Sequence, residues 1–250
     1  MDDVLIDQVS RLLAREATEA RLRQARAGQA VDGWDVIADA GVGQALVPEA
    51  EGGLGLDAPT VLAIARAHGR VGAPWPLAEA MTAQTDWQAA LAAAEIAGLC
   101  EAVLALTLDW TQTRQQFGKP LSKNQAVQHS LAQMAAETAA AGAAVGLAGL
   151  GLMGDRWALV AAAKARASEA AGIAAALAHQ LHGAIGVTAE NRLQLFTRAL
   201  WEKRDAAGSE HHWQARLGAE VLARGSLWAL VTDEPLRDLA GTASQGDRFR

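Results

Sequence analysis

"DWQAALAAAEIAGLCEAVLALTLDWTQTRQQFGKPLS", residues 86–122, decides the fold. Ile96, Leu99, Val103, Leu106 and Trp110 recur at spacings of three and four, which draws one apolar stripe along a helix from about Asp86 to Arg114. At ~1.5 Å per residue such a helix is ~43 Å long. "QQFGKPLS" then breaks it with Gly118 and Pro120, residues that do not continue a helix. Ser122 is the expected cap of the next helix, with Gln125 three residues on in a capping-box arrangement. Two long helices joined by a short connection form an antiparallel pair.

The same reading extends outward. A first helix is expected from about Val4 to Ala27, with Asp2 and Asp3 near its positive end. Asp32 is the expected N-cap of "DGWDVIADAG", residues 32–41, and Gly41 its stop. Asp57 and Pro59 start a further helix, and the prolines around Trp75 force an extended segment after it. Downstream of Ser122, one helix runs to about Gly151 and another from about Asp155 to His182, where Gly183 ends it. Thr188 caps a helix to about Arg204, and Ser209 caps one to about Arg224. Blocks of alternating β-branched residues are missing, so the expected class is all-α. The expected organisation is an N-terminal helical region over 1–85, an antiparallel four-helix-type bundle over 86–225 and a short polar tail over 226–250.

Composition narrows the function. Hydrophobic residues make up 51% of the chain but aromatics only 4%, so alanine and leucine must build the core. A formal charge of -6 without any dense Lys/Arg run argues against nucleic acid and against an anionic membrane surface. Cys100 is the one cysteine and sits on an apolar helical stripe, so it reads as a small buried hydrophobe. Neither a signal pattern nor an uninterrupted apolar span of membrane length stands out, and a soluble cytoplasmic protein is expected. His179 and His182 lie three apart and His211 adjoins His212, but no carboxylate falls at matching helical spacing, so no metal site is expected. Trp75, Trp87 and Trp110 are candidates for a pocket wall, although scattered tryptophans more often serve core or interface.

"TRQQFGKPLSKNQAVQHSLAQMA", residues 113–135, resembles the C-terminal domain of the acyl-CoA dehydrogenase family, with its Arg-x-x-Phe-Gly, following Gln and Leu-Ala-x-Met. "QLHGAIGVTAENRL", residues 180–193, is similar to the family's Gln-x-x-Gly-Gly-x-Gly-Phe-Thr segment. "LVPEAEGGLGLD", residues 46–57, resembles its early inter-helix loop. "GRVGAPWPLAEA", residues 69–80, resembles the sub-group acting on bulky thioesters such as steroid degradation intermediates. The resemblance implies FAD at a subunit interface. It places Arg114 and Phe117 near the pyrophosphate and adenine end, Asn124 and Gln125 at a further cofactor contact, and Gln180, Leu181, His182, Gly183 and Ala184 along the pyrophosphate. Ser209, with Glu210 and His211, matches positions near the adenine, although His211 replaces the usual glutamine. Arg would supply fixed donors to phosphate oxygens, and Gly183 a close backbone approach.

Two departures qualify the resemblance. The family's β-domain is missing, because "PLAEAMTAQTDWQAALAAAEIAG", residues 76–98, passes directly into the long helix. The family's catalytic glutamate also has no counterpart. In "LFTRALWEKRDAAGSEHH", residues 195–212, Ala207 occupies its slot, and Gln88 occupies the slot that some relatives use on the first bundle helix. The resemblance therefore implies a subunit of a heteromeric FAD-dependent acyl-CoA dehydrogenase, desaturating a bulky acyl-CoA with a partner's β-domain and glutamate. The alternative is a non-catalytic homologue kept as a homo-oligomeric interaction scaffold. A third reading, in which Glu202 or Glu210 restores catalysis, competes with those residues being an ordinary charged helix end and cap. Without a ligand, Arg114 and Phe117 read as a helix C-terminal charge and a buried ring, "QLHGAIGV" as a glycine-terminated helix, and Gln125 as a cap.

Overall fold

The computed structural model describes residues 2–154, 156–226 and 230. The described residues form α1 (Asp2–Glu16), α2 (Glu19–Arg26), α3 (Trp34–Asp39), α4 (Ala58–Arg70), α5 (Leu77–Met81), α6 (Thr85–Thr113), α7 (Gln125–Met153), α8 (Trp157–His182), α9 (Leu193–Asp205) and α10 (Glu210–Arg224). Their strands are confined to one hairpin, β1 (Gln115–Gln116) and β2 (Lys119–Pro120). The all-α expectation holds, and α5 reaches α6 through residues 82–84 alone, where the β-domain is missing. The expected tail lies, apart from Ser226 and Leu230, outside the described residues, as does the helix start expected at Asp155.

The helix α6 is the axis of the molecule. It packs against α7 and α8 on the bundle side and α4 and α9 on the other. Alanines dominate the buried positions of α6 and α8, and Cys100 is fully buried among them. Because alanine keeps side chains short, helix axes approach closely. The tightest crossing is α4 on α6, where a Cβ on Gly69 would lie 2.0 Å from the Glu95 carbonyl oxygen and one on Gly98 2.0 Å from that of Arg66. A single apolar core runs from Val9 and Leu13 through these helices to Trp213.

Several local expectations need correcting. The first helix is two helices, because the Thr18 hydroxyl accepts from the Arg21 backbone N–H and starts α2. Asp32 does not cap α3; its carboxylate takes the Arg21 guanidinium at 2.8 Å, and Gly33 stands at the cap with φ 93°. Ser122 lies in a single 3₁₀ turn, and Asn124 caps α7 by accepting from Ala126 N at 2.9 Å. Thr188 closes another 3₁₀ turn, and the α9 N-terminus is served by Asn191, which accepts from Leu193 N. At α7 and α9 a nearby asparagine of equal capping ability took the place of the expected residue. Asp57 and Ser209 do cap α4 and α10.

The expectation that no apolar span reaches membrane length also fails. Thr85–Thr113, Gln125–Met153 and Trp157–Val187 are long and apolar enough by composition. Scattered Thr, Gln and Gly interrupt the apolar runs without offsetting so many alanines and leucines. The most apolar window of the first is 78% buried inside the protein, whereas those of the other two are 39% buried.

A buried lysine fixes the segment between α9 and α10. Lys164 is fully buried, and its Nζ donates to Ser168 Oγ (2.9 Å), Arg204 O (2.7 Å) and Gly208 O (3.0 Å). Burial pushes its pKa down to about 8, with Asp205 opposing. Lysine's unfolded value is higher, so the unfolded chain holds the proton longer. Stability contributed by this group therefore rises as pH climbs from about 8 towards 10.5. Lys164→Met is expected to abolish that rise and, by leaving Gly208 O without its donor and Arg204 O with only the long Ser168 Oγ contact, to cost about 1–3 kcal/mol at pH 7. Urea unfolding from pH 7 to 10 checks both.

Candidate functional site

One end of the bundle carries a cavity of about 510 Å³ where the α6 C-terminus, the hairpin, the α7 N-terminus and the α8 C-terminus meet. Local sequence explains each wall. The hairpin turns on Phe117 and Gly118, with φ 51° and 79° and Gln116 facing Lys119, so both central residues are left-handed, as a two-residue type I′ turn requires. Phe117 is an unusual residue there, which is why the motif reads as a plain loop. Leu121 N donates to Arg114 O at 2.9 Å and ties the hairpin base to the end of α6.

The opposite wall is held by aromatic stacking. The His182 ring lies on Trp110 at 5.2 Å and 12° between planes, and Trp110 Nε1 donates to Leu181 O at 3.2 Å. His182 Nδ1 sits 2.9 Å from Ala178 O, and a carbonyl can only accept, so Nδ1 carries the proton. Burial pushes this imidazole below its ordinary pKa, the Ala178 carbonyl opposing. Gly183 then turns the chain at φ 67°, ψ -152°, a conformation essentially reserved for glycine. No atom lies within 4 Å of where its Cβ would stand, so the backbone is open to a ligand.

Seven of the ten residues the sequence marked as cofactor contacts line this cavity: Arg114, Asn124, Gln180, Leu181, His182, Gly183 and Ala184. The other three do not. Phe117 is no buried ring; it projects from the hairpin tip, 98% exposed. Gln125 is exposed as the first residue of α7, and Ser209 is spent capping α10. Sequence reasoning missed Gln116, Leu121, Val127 and Ile185 as lining residues; only their closeness to the motifs marked them. Trp110 fulfils its role as a pocket wall, one helical turn before Arg114.

Chemically this is a binding surface. Arg114 is its one guanidinium, lying 5.9 Å over the Trp110 ring, and Asn124, Gln180 and the Gly183 backbone add polar groups. No aspartate or glutamate lines it among the described residues. These groups fit the phosphate end of a dinucleotide such as FAD.

Ala207, which the sequence resemblance sets in the family's glutamate slot, lies between α9 and α10. Ala207 is left-handed (φ 52°) although it is not glycine, followed by Gly208 at φ 96°. Trp213 Nε1 donates to Ala207 O at 2.9 Å, and Lys164 holds the flanking carbonyls. The backbone is thus fixed in a costly shape around a methyl group. Gln88, which the resemblance sets in the alternative slot, donates its amide to Thr82 O at 3.0 Å.

The fold is an alanine-rich antiparallel helical bundle with an open crevice of about 510 Å³ at one end. This chain belongs to the acyl-CoA dehydrogenase family: the family's sequence profile "Acyl-CoA dehydrogenase, C-terminal domain" matches residues 78–221, more than half of the chain. It is similar to the protein named Acyl-CoA dehydrogenase IpdE2 of Mycobacterium tuberculosis, 35% identical over 136 residues. That match covers 54% of this chain and 42% of the relative. In fold it resembles a variant of the Tcur3481–Tcur3483 steroid ACAD, with TM-score 0.79, 19% identity and coverage of 90% of this chain and 98% of that one. It also resembles the ChsE4–ChsE5 complex of Mycobacterium tuberculosis, with TM-score 0.78, 16% identity and coverage of 88% and 97%.

Proposed function

We propose that this chain is a subunit of an FAD-dependent acyl-CoA dehydrogenase complex that desaturates a bulky acyl-CoA between Cα and Cβ, without a base of its own. The observation that carries the reading is the gathering of Arg114, Asn124 and residues 180–184 around one cavity, combined with a methyl group at position 207. FAD, when bound, would accept the hydride. This chain's part is to hold one end of the cofactor: Arg114 toward a phosphate, Gln180 and the Gly183 backbone beside it, and the Trp110–His182 stack as the wall that excludes water. Phe117, exposed at its hairpin tip, is aimed outward, toward a second polypeptide that supplies the β-domain and the glutamate. A steroid-like substrate is in keeping with the likeness to a steroid ACAD, and a partner chain with the likeness to the ChsE4–ChsE5 complex.

The outer face of α7 also supports a partner. Ala136, Ala139, Ala143, Gly146, Leu150 and Met153 alternate at spacings of three and four and are all exposed, the pattern of a helix–helix seam. A partner dehydrogenase chain or a second copy would fill it. The same seam would serve a non-catalytic homo-oligomeric scaffold, which predicts a colourless complex. The two readings separate on co-expression with longer acyl-CoA dehydrogenase chains: a subunit copurifies in a yellow complex with flavin bands. The reading fails if every complex obtained is colourless and inactive toward acyl-CoA.

Arg114→Ala in that complex is expected to weaken FAD about 10- to 150-fold, the worth of a hydrogen bond to a charged group. FAD titration of the apo-complex measures it. Unchanged affinity would place the cofactor away from this cavity.

A further inference from the structure

His182 meets the cavity at the end of the bundle with one ring nitrogen that the chain leaves free. Its Nδ1 proton is committed to the Ala178 carbonyl at 2.9 Å, so a further proton can be gained only at Nε2. Nε2 makes no hydrogen bond within the chain, and it is not sealed from solvent, unlike His68 Nε2 and His179 Nδ1. That opening belongs to a side chain that lines the cavity and is otherwise buried, 7% exposed.

The charges around the ring all have one sign. On α6, Arg114 lies over the Trp110 indole, 5.9 Å from its centre, and His182 stacks on the same indole at 5.2 Å. On α8, His179 stands one turn back and disfavours the His182 cation, adding to the larger effect of burial, while the Ala178 carbonyl opposes both. From α9, the uncharged Thr197 and Trp201 meet His179. The lining residues of the hairpin, of α7 and of the turn after α8 are uncharged. Without a carboxylate in the wall, a second cation beside Arg114 is repelled, and an anion between the two reverses that sign. The indole face favours the same outcome, because aromatic faces attract cations. We infer that His182 takes up a proton at Nε2 when a phosphate group enters this cavity and donates it as a hydrogen bond to a phosphate oxygen. Arg114 is then the permanent charge of the site and His182 the conditional one. The inference rests on the reading of this cavity as a phosphate site and adds a proton to it. A ring that holds its proton more firmly with the anion bound makes affinity greatest at low pH. The gain is lost as pH rises through the bound value, and each pH unit between the bound and free values is worth about tenfold.

The test uses the full chain alone, labelled with ¹⁵N-histidine, and sulfate as the probe, a tetrahedral anion whose charge is constant from pH 5 to 9. At pH 7 and constant ionic strength, sulfate is expected to move the His182 Nε2 signal from the bare toward the protonated position while Nδ1 stays protonated. Sulfate is expected to bind about tenfold more weakly at pH 8.5 than at pH 5.5. His182→Gln offers an N–H donor that does not titrate, and its affinity is expected to be equal at the two pH values. An Nε2 that stays bare with sulfate bound, a wild-type affinity independent of pH, a pH dependence that persists in His182→Gln, or no sulfate binding would each overturn the inference. The wild-type signals and affinities decide even if the variant does not fold. A colourless partner complex together with a ring that gains its proton would sink the flavin reading and leave this inference standing. A yellow complex with a bare Nε2 would do the reverse.

Discussion

Lys203→Ala destabilises the protein by about 3–5 kcal/mol, the cost of stranding a buried charge. Glu95 is fully buried on α6, and Lys203 reaches it from α9. Burial by itself would raise the Glu95 carboxyl, but Lys203 and His68 beside it hold it below its ordinary value. The ammonium is burdened by burial too, and Glu95 outweighs that and raises it. Removing Lys203 leaves the carboxylate with His68 alone. The double change Glu95→Met with Lys203→Met removes both charges and is expected to recover most of the loss, because neither group remains unpaired. The pair also sets an acid limit. A carboxyl lowered in the folded state contributes stability fully above its unfolded value of 4.5, and that contribution fades as pH falls through the folded value. Urea midpoints of wild type, single and double variants across pH 3 to 7 check both claims. A single variant as stable as wild type would show that water, and not Lys203, solvates Glu95.

Gly98→Ala is expected to cost at least about 3 kcal/mol, the upper range for overpacking, since its clash is with backbone. A Cβ at Gly98 would stand 2.0 Å from Arg66 O and 2.6 Å from Arg70 N, and main-chain atoms cannot rotate away. The helix α4 would have to lift off α6, loosening His68 from Glu95 at the same crossing. Gly218 on α10 is the control: nothing lies within 4 Å of its Cβ position, so Gly218→Ala is expected to stabilise by about 1 kcal/mol through helix propensity alone. Thermal melts that move both variants in the same direction would contradict the close-crossing account.

Helical periodicity made the bundle legible, and α6 starts and stops within one residue of the reading from its apolar stripe. Caps were less legible. Asn124 against Ser122 and Asn191 against Thr188 are choices between neighbours of nearly equal propensity, and the break at Thr18 is held by Arg21, which pairs with Glu16 and Asp32. The cavity was legible because its residues cluster in two short segments at helix ends. The ion cluster around Glu95 was not. His68, Glu95 and Lys203 are spread over three helices, and nothing in their local sequence says that they meet. Glu95 reads in sequence as a lone charge in an alanine run, whereas a fully buried carboxylate demands partners.

The central claim is that this chain supplies part of a flavin site completed by another polypeptide. The direct measurement is the absorption spectrum, with subunit composition, of the complex formed when this chain is co-expressed with a longer dehydrogenase chain that carries a β-domain and a glutamate. The account predicts flavin bands in a complex containing both chains, and their loss when Arg114→Ala and Phe117→Ala are combined in this one. A partner that keeps its full flavin content and activity in the absence of this chain would contradict it.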